Sequence, residues 1–394
     1  MGHVAYTDWT APSGFAAGSF DGTATDAGAL TLANPTGTPA YTDPHGDGGT
    51  RRYESATWTS PVVRPGFPYT ELVASWNAQT PGGSWLQVEV QGSANTGTRS
   101  KWYVLGRWAA SDDAFHRTSV TAQGDALAYV ATDTLVAANG QSFSTWQLRV
   151  TLYRPVGAGV TPRVTLVGAM ASALPTATTV PASPLGGAEG ITLDVPTYSQ
   201  EIHVGEYPQW DGGGEAWCSP TSTAMVLAYW NSGPTPADYA WVDPAYADPW
   251  VDHAARNVYD YAYDGAGNWA FNTAYAATFG LESFVTRLRS LAEAEQFIKA
   301  GIPLIVSVSF KKGELDGAGY GTGGHLLVIV GFTAAGDVVV NDPASHLIPS
   351  NDEVRTVYDR TQFENVWVPR SGGIAYVIHP AGVPLPAAPA EANW

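Results

Sequence analysis

Residues 172–190 read Ser-Ala-Leu-Pro-Thr-Ala-Thr-Thr-Val-Pro-Ala-Ser-Pro-Leu-Gly-Gly-Ala-Glu-Gly. The three prolines remove backbone donors, and the small side chains have little to bury. No period of 2 or 3.6 runs through the stretch. Such a segment reads as a linker. It divides the 394-residue chain into 1–171 and 191–394, each long enough for a core of its own.

The first part reads as all-β. Candidate strands are the short runs 71–77, 84–91, 102–108, 126–133 and 145–153, separated by Gly, Pro, Asn and Asp clusters. The clearest alternation is Trp85-Leu86-Gln87-Val88-Glu89-Val90-Gln91. Short strands at such spacing predict a β-sandwich or jelly roll. After the linker the pattern changes. Helices are expected over 219–230, 248–263 and 290–300, the last stopped by Gly301. Apolar, β-branched strands are expected over 304–310, 326–332 and 338–341. Helices first and an antiparallel sheet afterwards predict an α+β domain over 191–394.

A net charge of -17 disfavours nucleic acid, whose phosphates need a basic surface. It also disfavours anionic membranes and suits a protein kept dispersed by self-repulsion. No apolar run approaches the ~18 residues of a membrane span. Few Lys residues, a single Cys, 15 Trp and 19 Tyr point to a secreted bacterial protein. Met1-Gly2-His3-Val4 lacks the basic start and apolar core of a signal peptide, so a leader is expected to have been removed.

The single cysteine stands in Gly-Gly-Gly-Glu-Ala-Trp-Cys218-Ser-Pro-Thr-Ser-Thr-Ala-Met-Val-Leu, where a Gly-rich loop turns into a helix. Pro220 suits a first helical turn. Free N–H groups and the helix dipole there favour a thiolate and can hold an oxyanion. The structural alternative is a buried, inert thiol.

A thiolate nucleophile needs a base, and His325 stands out among eight histidines. It follows Gly319-Tyr-Gly-Thr-Gly-Gly324 and opens the apolar strand. His203, His253 and His346 are rivals by position. A base needs an orienter. The turn Ala334-Ala-Gly-Asp337 leads into Val338-Val-Val-Asn-Asp342-Pro. An antiparallel hairpin therefore brings Asp342 back beside His325. Asn341 is the alternative, but alternation points it to the opposite face. Upstream, Gln200 in Val195-Pro-Thr-Tyr-Ser-Gln200 is the candidate oxyanion donor.

Taken in order, these motifs resemble the papain-like cysteine peptidases of the bacteriocin-processing, double-glycine-leader type, and most closely their stand-alone secreted actinobacterial relatives. The resemblance covers roughly 190–380. It implies Cys218 as nucleophile, His325 as general base and acid, Asp342 as orienter, and Gln200 with the Cys218 N–H as oxyanion donors. Two departures stand out. Ser219 takes the place of the family's usual Gly, and residues 201–217 form a long insertion before the cysteine. The insertion makes Gln209 a possible substitute for Gln200.

The implied reaction is thioester acyl transfer on a peptide or protein, with no metal or cofactor. No His-x-x-x-His or Cys-x-x-Cys spacing occurs. Asp43-Pro-His-Gly-Asp-Gly-Gly lacks the spacing of a calcium loop. A cell-wall amidase, a transglutaminase-like enzyme and an inactive wall-binding protein remain alternatives. For the binding reading, Trp58, Trp76, Trp85, Trp102 and Trp108 would stack on a polysaccharide, against the alternative that they fill the sandwich core.

Overall fold

The computed structural model describes residues 2–394. The chain divides into two compact units. One comprises His3–Ala173 with the short segment Asp260–Asp264, and the other most of the remainder from Leu174. Among the described residues, no helix is long and apolar enough to cross a membrane.

The first unit is all-β, with two antiparallel sheets of seven and six strands. The run 84–91 becomes the strand Trp85–Ala94. Leu86, Val88 and Val90 are fully buried on its inner face, as a period of 2 requires. The opposite face is covered as well. Trp85 stacks on Tyr153 at 3.8 Å and on Phe115 at 4.4 Å. Glu89 takes two 2.8 Å hydrogen bonds from its cross-strand partner Arg149, a bidentate pair. Between the sheets, Trp9 packs edge-on against Trp58 and Trp146. Trp58, Trp76, Trp85 and Trp108 are all buried. They fill the core instead of forming a platform, each contributing upwards of about 2 kcal/mol by burial. Trp102 is half-buried beneath the Arg149 guanidinium.

The second unit is α+β. Its antiparallel sheet runs in the order Glu282–Arg287, Ile374–His379, Leu304–Phe310, Thr322–Phe332, Val338–Asn341, Arg355–Tyr358. Five helices accompany it: α1 (Cys218–Tyr229), α2 (Pro249–Val258), α3 (Trp269–Ala277), α4 (Leu291–Lys299) and α5 (Arg360–Ser371). Helix α1 is buried over its whole stretch from Ser219 to Leu227. It packs against α2, α3 and the strand Thr322–Phe332. Helix α4 begins where the Ser290 side chain accepts from the Glu293 N–H. Gly301, at φ +79°, takes the left-handed turn that stops it.

Helix α2 is shorter than expected. It stops at Val258 because Tyr259 turns extended and the Asp260 carboxylate accepts from the Ala262 and Tyr263 N–H groups, a local turn that competes with helix. Of the segment 172–190, expected as a linker, Ser172 and Ala173 still belong to the strand Arg163–Ala173 of the first unit, and the rest runs in an ordered path over the second unit. The Gly186 and Ala188 N–H groups donate to Glu295 of α4, the Ser183 N–H donates to Glu364 and the Val180 N–H to Asn365 of α5.

Candidate active site

Cys218 is the first residue of α1. The loop before it turns through Asp211, Gly212 and Gly213, all at positive φ. A Cβ on Gly214 would run into backbone atoms of His203 and Gln200, so the loop closes tightly there. The fully buried Trp217 donates its indole N–H to the Trp210 carbonyl at 2.7 Å. These contacts fix the direction in which the chain enters α1. The first-turn N–H groups of α1 have no partner within the helix, which is also why Pro220 is tolerated. Ser219 turns inward and its hydroxyl meets the Tyr376 hydroxyl at 3.0 Å.

His325 and Asp342 come together, with Nε2 2.8 Å from Oδ1. The register that achieves this contains a bulge. Phe332 pairs with Val338 and Gly331 with Val339, but Ile329 pairs with Val340 and Val328 with Asn341. Continuing that register sets Asp342 opposite Leu327, which shares a face with His325. Without the bulge, Asp342 would oppose Val328 and point to the other face. Asn341 does point away. Its amide donates to the Val195 and Pro196 carbonyls, and its oxygen accepts from Arg355.

A carboxylate only accepts, so the His325 Nε2 carries the hydrogen in this bond. Nδ1 is the remaining ring nitrogen, and Cys218 is among the neighbours whose interaction raises the imidazole pKa. Burial pulls the imidazole pKa down. The Asp342 charge and hydrogen bond, then Cys218, outweigh it and push it up to about 10. Burial likewise opposes a charge on Asp342, yet its pKa lies below the usual carboxylate value because of His325 and two phenols. These are Tyr320, 2.9 Å from Oδ2, and Tyr358, 2.7 Å from Oδ2. The Ala344 N–H adds a bond to Oδ1. Neither tyrosine stands out in the sequence. Tyr320 lies in the glycine-rich approach to His325 and Tyr358 ends a separate strand, so only the folded sheet joins them.

Gln200 is buried. Its backbone N–H donates to the Pro343 carbonyl at 2.9 Å, and Nε2 donates to the Glu215 carbonyl at 2.7 Å. It is thereby tied both to the residue after Asp342 and to the loop before Cys218. Gln209 is exposed. Glu201, beside Gln200, was not singled out by sequence. Burial and the Glu215 charge raise its pKa, against the pull of His325. Among the rival histidines, His203 pairs with Glu206, His253 with the Tyr275 hydroxyl and His346 with Ser345. The run around Asp43 borders a cavity of about 300 Å³ in the first unit, lined in part by His45, Asp112 and His116. The Asp43 carboxylate there already accepts from the His45 and His116 N–H groups.

Residues 192–374 match the Peptidase_C39 like family, and residues 5–172 match the Peptidase C39 N-terminal domain. The chain is a papain-like peptidase of the C39 type. This assignment joins the β unit to the peptidase unit in one family context. No curated protein matches the chain. The C39-type chain is also similar to solved structures, among them three carbohydrate-related proteins. A carbohydrate-binding module of the beta-sandwich super family is 11% identical with a TM-score of 0.19, covering 41% of this chain and 56% of that one. LamA from Z. galactanivorans, in complex with laminaritriose and laminaritetraose, is 12% identical with a TM-score of 0.19, covering 43% and 92%. The Clostridium thermocellum endo-1,4-beta-D-xylanase 10B modules, complexed with xylohexaose, are 10% identical with a TM-score of 0.17, covering 50% and 30%.

Proposed function

We propose that this C39-type chain is a secreted cysteine peptidase that hydrolyses peptide bonds through Cys218, His325 and Asp342. The observation that carries the reading is the His325 ring, bonded through Nε2 to the buried Asp342 carboxylate and electrostatically coupled to Cys218, the one thiol in the chain. The Cys218 thiol passes its proton to His325 and, as thiolate, attacks the scissile carbonyl, and the oxyanion takes hydrogen bonds from Gln200 and the Cys218 N–H. His325 gives its proton to the leaving amine, and a thioester remains. The same ring then takes a proton from water, which attacks the thioester and frees the acid. Asp342 keeps the ring oriented throughout.

The β unit serves as an accessory domain, and export fits the composition. The test is cleavage of a peptide library by the wild-type protein beside Cys218→Ala. Site-specific cleavage that disappears in the variant supports the reading. Iodoacetamide adds a second readout. Modification of Cys218 only after denaturation, with no cleavage of any peptide, would defeat it.

A further inference from the structure

His203 and Glu206 lie in the 201–217 insertion that separates Gln200 from Cys218, and Asp252 lies on α2. One ligating atom of each residue falls within 4.8 Å of the others. The His203 Nδ1 is 2.7 Å from Glu206 Oε2 and 3.7 Å from Asp252 Oδ2. His203 and Asp252 are fully buried, and Glu206 is 8% exposed. The decisive detail is Asp252. Both its carboxylate oxygens are buried without a hydrogen-bond partner, and so is the His203 Nε2. The His203 Nδ1 stands 3.7 Å from Asp252 and is already bonded to Glu206, and a buried carboxylate with no donor at hydrogen-bond distance is costly and calls for an explanation such as a bound ion.

Charge points the same way. Among the described residues, the ion pairs of Glu206 and Asp252 are both with His203. Held by a proton on His203 alone, the cluster keeps one net negative charge in a largely buried place. A divalent cation with a neutral imidazole and two carboxylates leaves none.

We propose that His203, Glu206 and Asp252 form a structural site for a divalent cation of the zinc class, tying the loop before Cys218 to α2. Mixed imidazole and carboxylate donors suit zinc better than the all-oxygen shells of calcium or magnesium. Nδ1 is the ligating nitrogen, since it is the one turned to both carboxylates. Metal–ligand bonds of about 2.0–2.2 Å require the short Nδ1–Oε2 contact to open by well under 1 Å as the proton leaves.

The loop so anchored carries Trp217, whose ring lies 6.0 Å from that of His203, and the Glu215 carbonyl that receives the Gln200 amide. The cation would therefore hold the entry to α1 without touching substrate. This assignment does not depend on the peptidase reading.

The test is titration of chelator-treated full-length protein with Zn²⁺ alone, followed by calorimetry, metal analysis after dialysis and thermal denaturation. The expected result is one retained equivalent and a higher Tm in the wild type. Asp252→Asn and Glu206→Gln should each weaken binding by more than the roughly 10–100-fold that loss of an outer-shell partner costs, and should abolish the Tm increase. Failure of the wild type to retain zinc would overturn the proposal, as would equal retention by the variants or calcium binding without zinc binding. Should Asp252→Asn not fold, Glu206→Gln decides, because its side chain lies at the partly open side of the cluster.

Discussion

The His325 imidazole and the Asp342 carboxylate meet at 2.8 Å because a single-residue bulge at Val330 slides one strand of their hairpin past the other. Gly331, beside that bulge, lets the backbone of residues 191–192 run against the strand. Thr192 pairs with Gly331 as an isolated bridge, and a Cβ there would come within 2.7 Å of the Thr192 Cα. Gly331→Ala is therefore expected to destabilise by about 1–3 kcal/mol and to lower kcat/KM by displacing Asp342 from His325. Urea unfolding and peptide hydrolysis measure the two effects. Wild-type values for both would show that the bulge does not set the register of the site.

The two phenols donate to the Asp342 carboxylate, and the Tyr320 ring also stands edge-on to His325. Burial first, and the Asp342 charge with it, raise the pKa of both Tyr320 and Tyr358 far above the working range, so both stay protonated donors. Tyr320→Phe and Tyr358→Phe each remove a hydrogen bond to a charged acceptor, a loss of about 1.5–3 kcal/mol. The double variant should also let Asp342 take up a proton at higher pH. Its Tm should begin to fall at a less acid pH than that of the wild type. An unchanged acid limb would mean that His325 alone keeps Asp342 ionised.

The pair gives opposite signs at the two ends of the pH range. The Asp342 pKa is depressed from 3.8, so its contribution to stability is present above that value and fades as pH falls through the lower folded value. The His325 pKa is raised from 6.5 to about 10. Its contribution is complete below 6.5 and is lost as pH rises through about 10. Activity follows the same alkaline limb, because the imidazolium must protonate the leaving amine. A profile of kcat/KM between pH 4 and 11 should stay high well past 7 and drop toward 10. An alkaline limb near 6.5 would contradict the ion pair.

The residues nearest the chemistry were legible because they sit on local patterns. Leu304–Phe310 and Val338–Asn341 are mostly apolar, β-branched runs that read as strands, and a turn between two strands brings Asp342 back near His325, but the bulge that sets both on one face is not written in any local pattern. Helix α3 left no trace, since eight of its nine residues are buried and an all-round buried helix shows no polar stripe. Helix α5 carries Pro369 inside it, a residue that argues against helix. Tyr358 and Asp252 reach their partners only through sheet order and helix packing, which no local spacing encodes. The stretch 172–190 has a linker's composition. Its backbone N–H groups nevertheless find acceptors on α4 and α5, and composition does not show where acceptors will lie.

Gln200 and Gln209 make different predictions. Gln200 is anchored at both ends, to Pro343 and to Glu215, and the amide keeps one hydrogen beyond the bond to Glu215. Gln209 is exposed. Gln200→Ala is expected to lower kcat by roughly 10²–10³-fold, the usual effect of losing one oxyanion donor, with KM little changed. Gln209→Ala should leave both constants near wild type. Alkylation of Cys218 by iodoacetamide forms no oxyanion, so its rate separates two causes of a loss in Gln200→Ala. An unchanged alkylation rate with a reduced kcat assigns the loss to the oxyanion. A fall in both would mean that Gln200 acts by holding the loop that leads into α1, and the donor role would then pass to the Cys218 N–H alone.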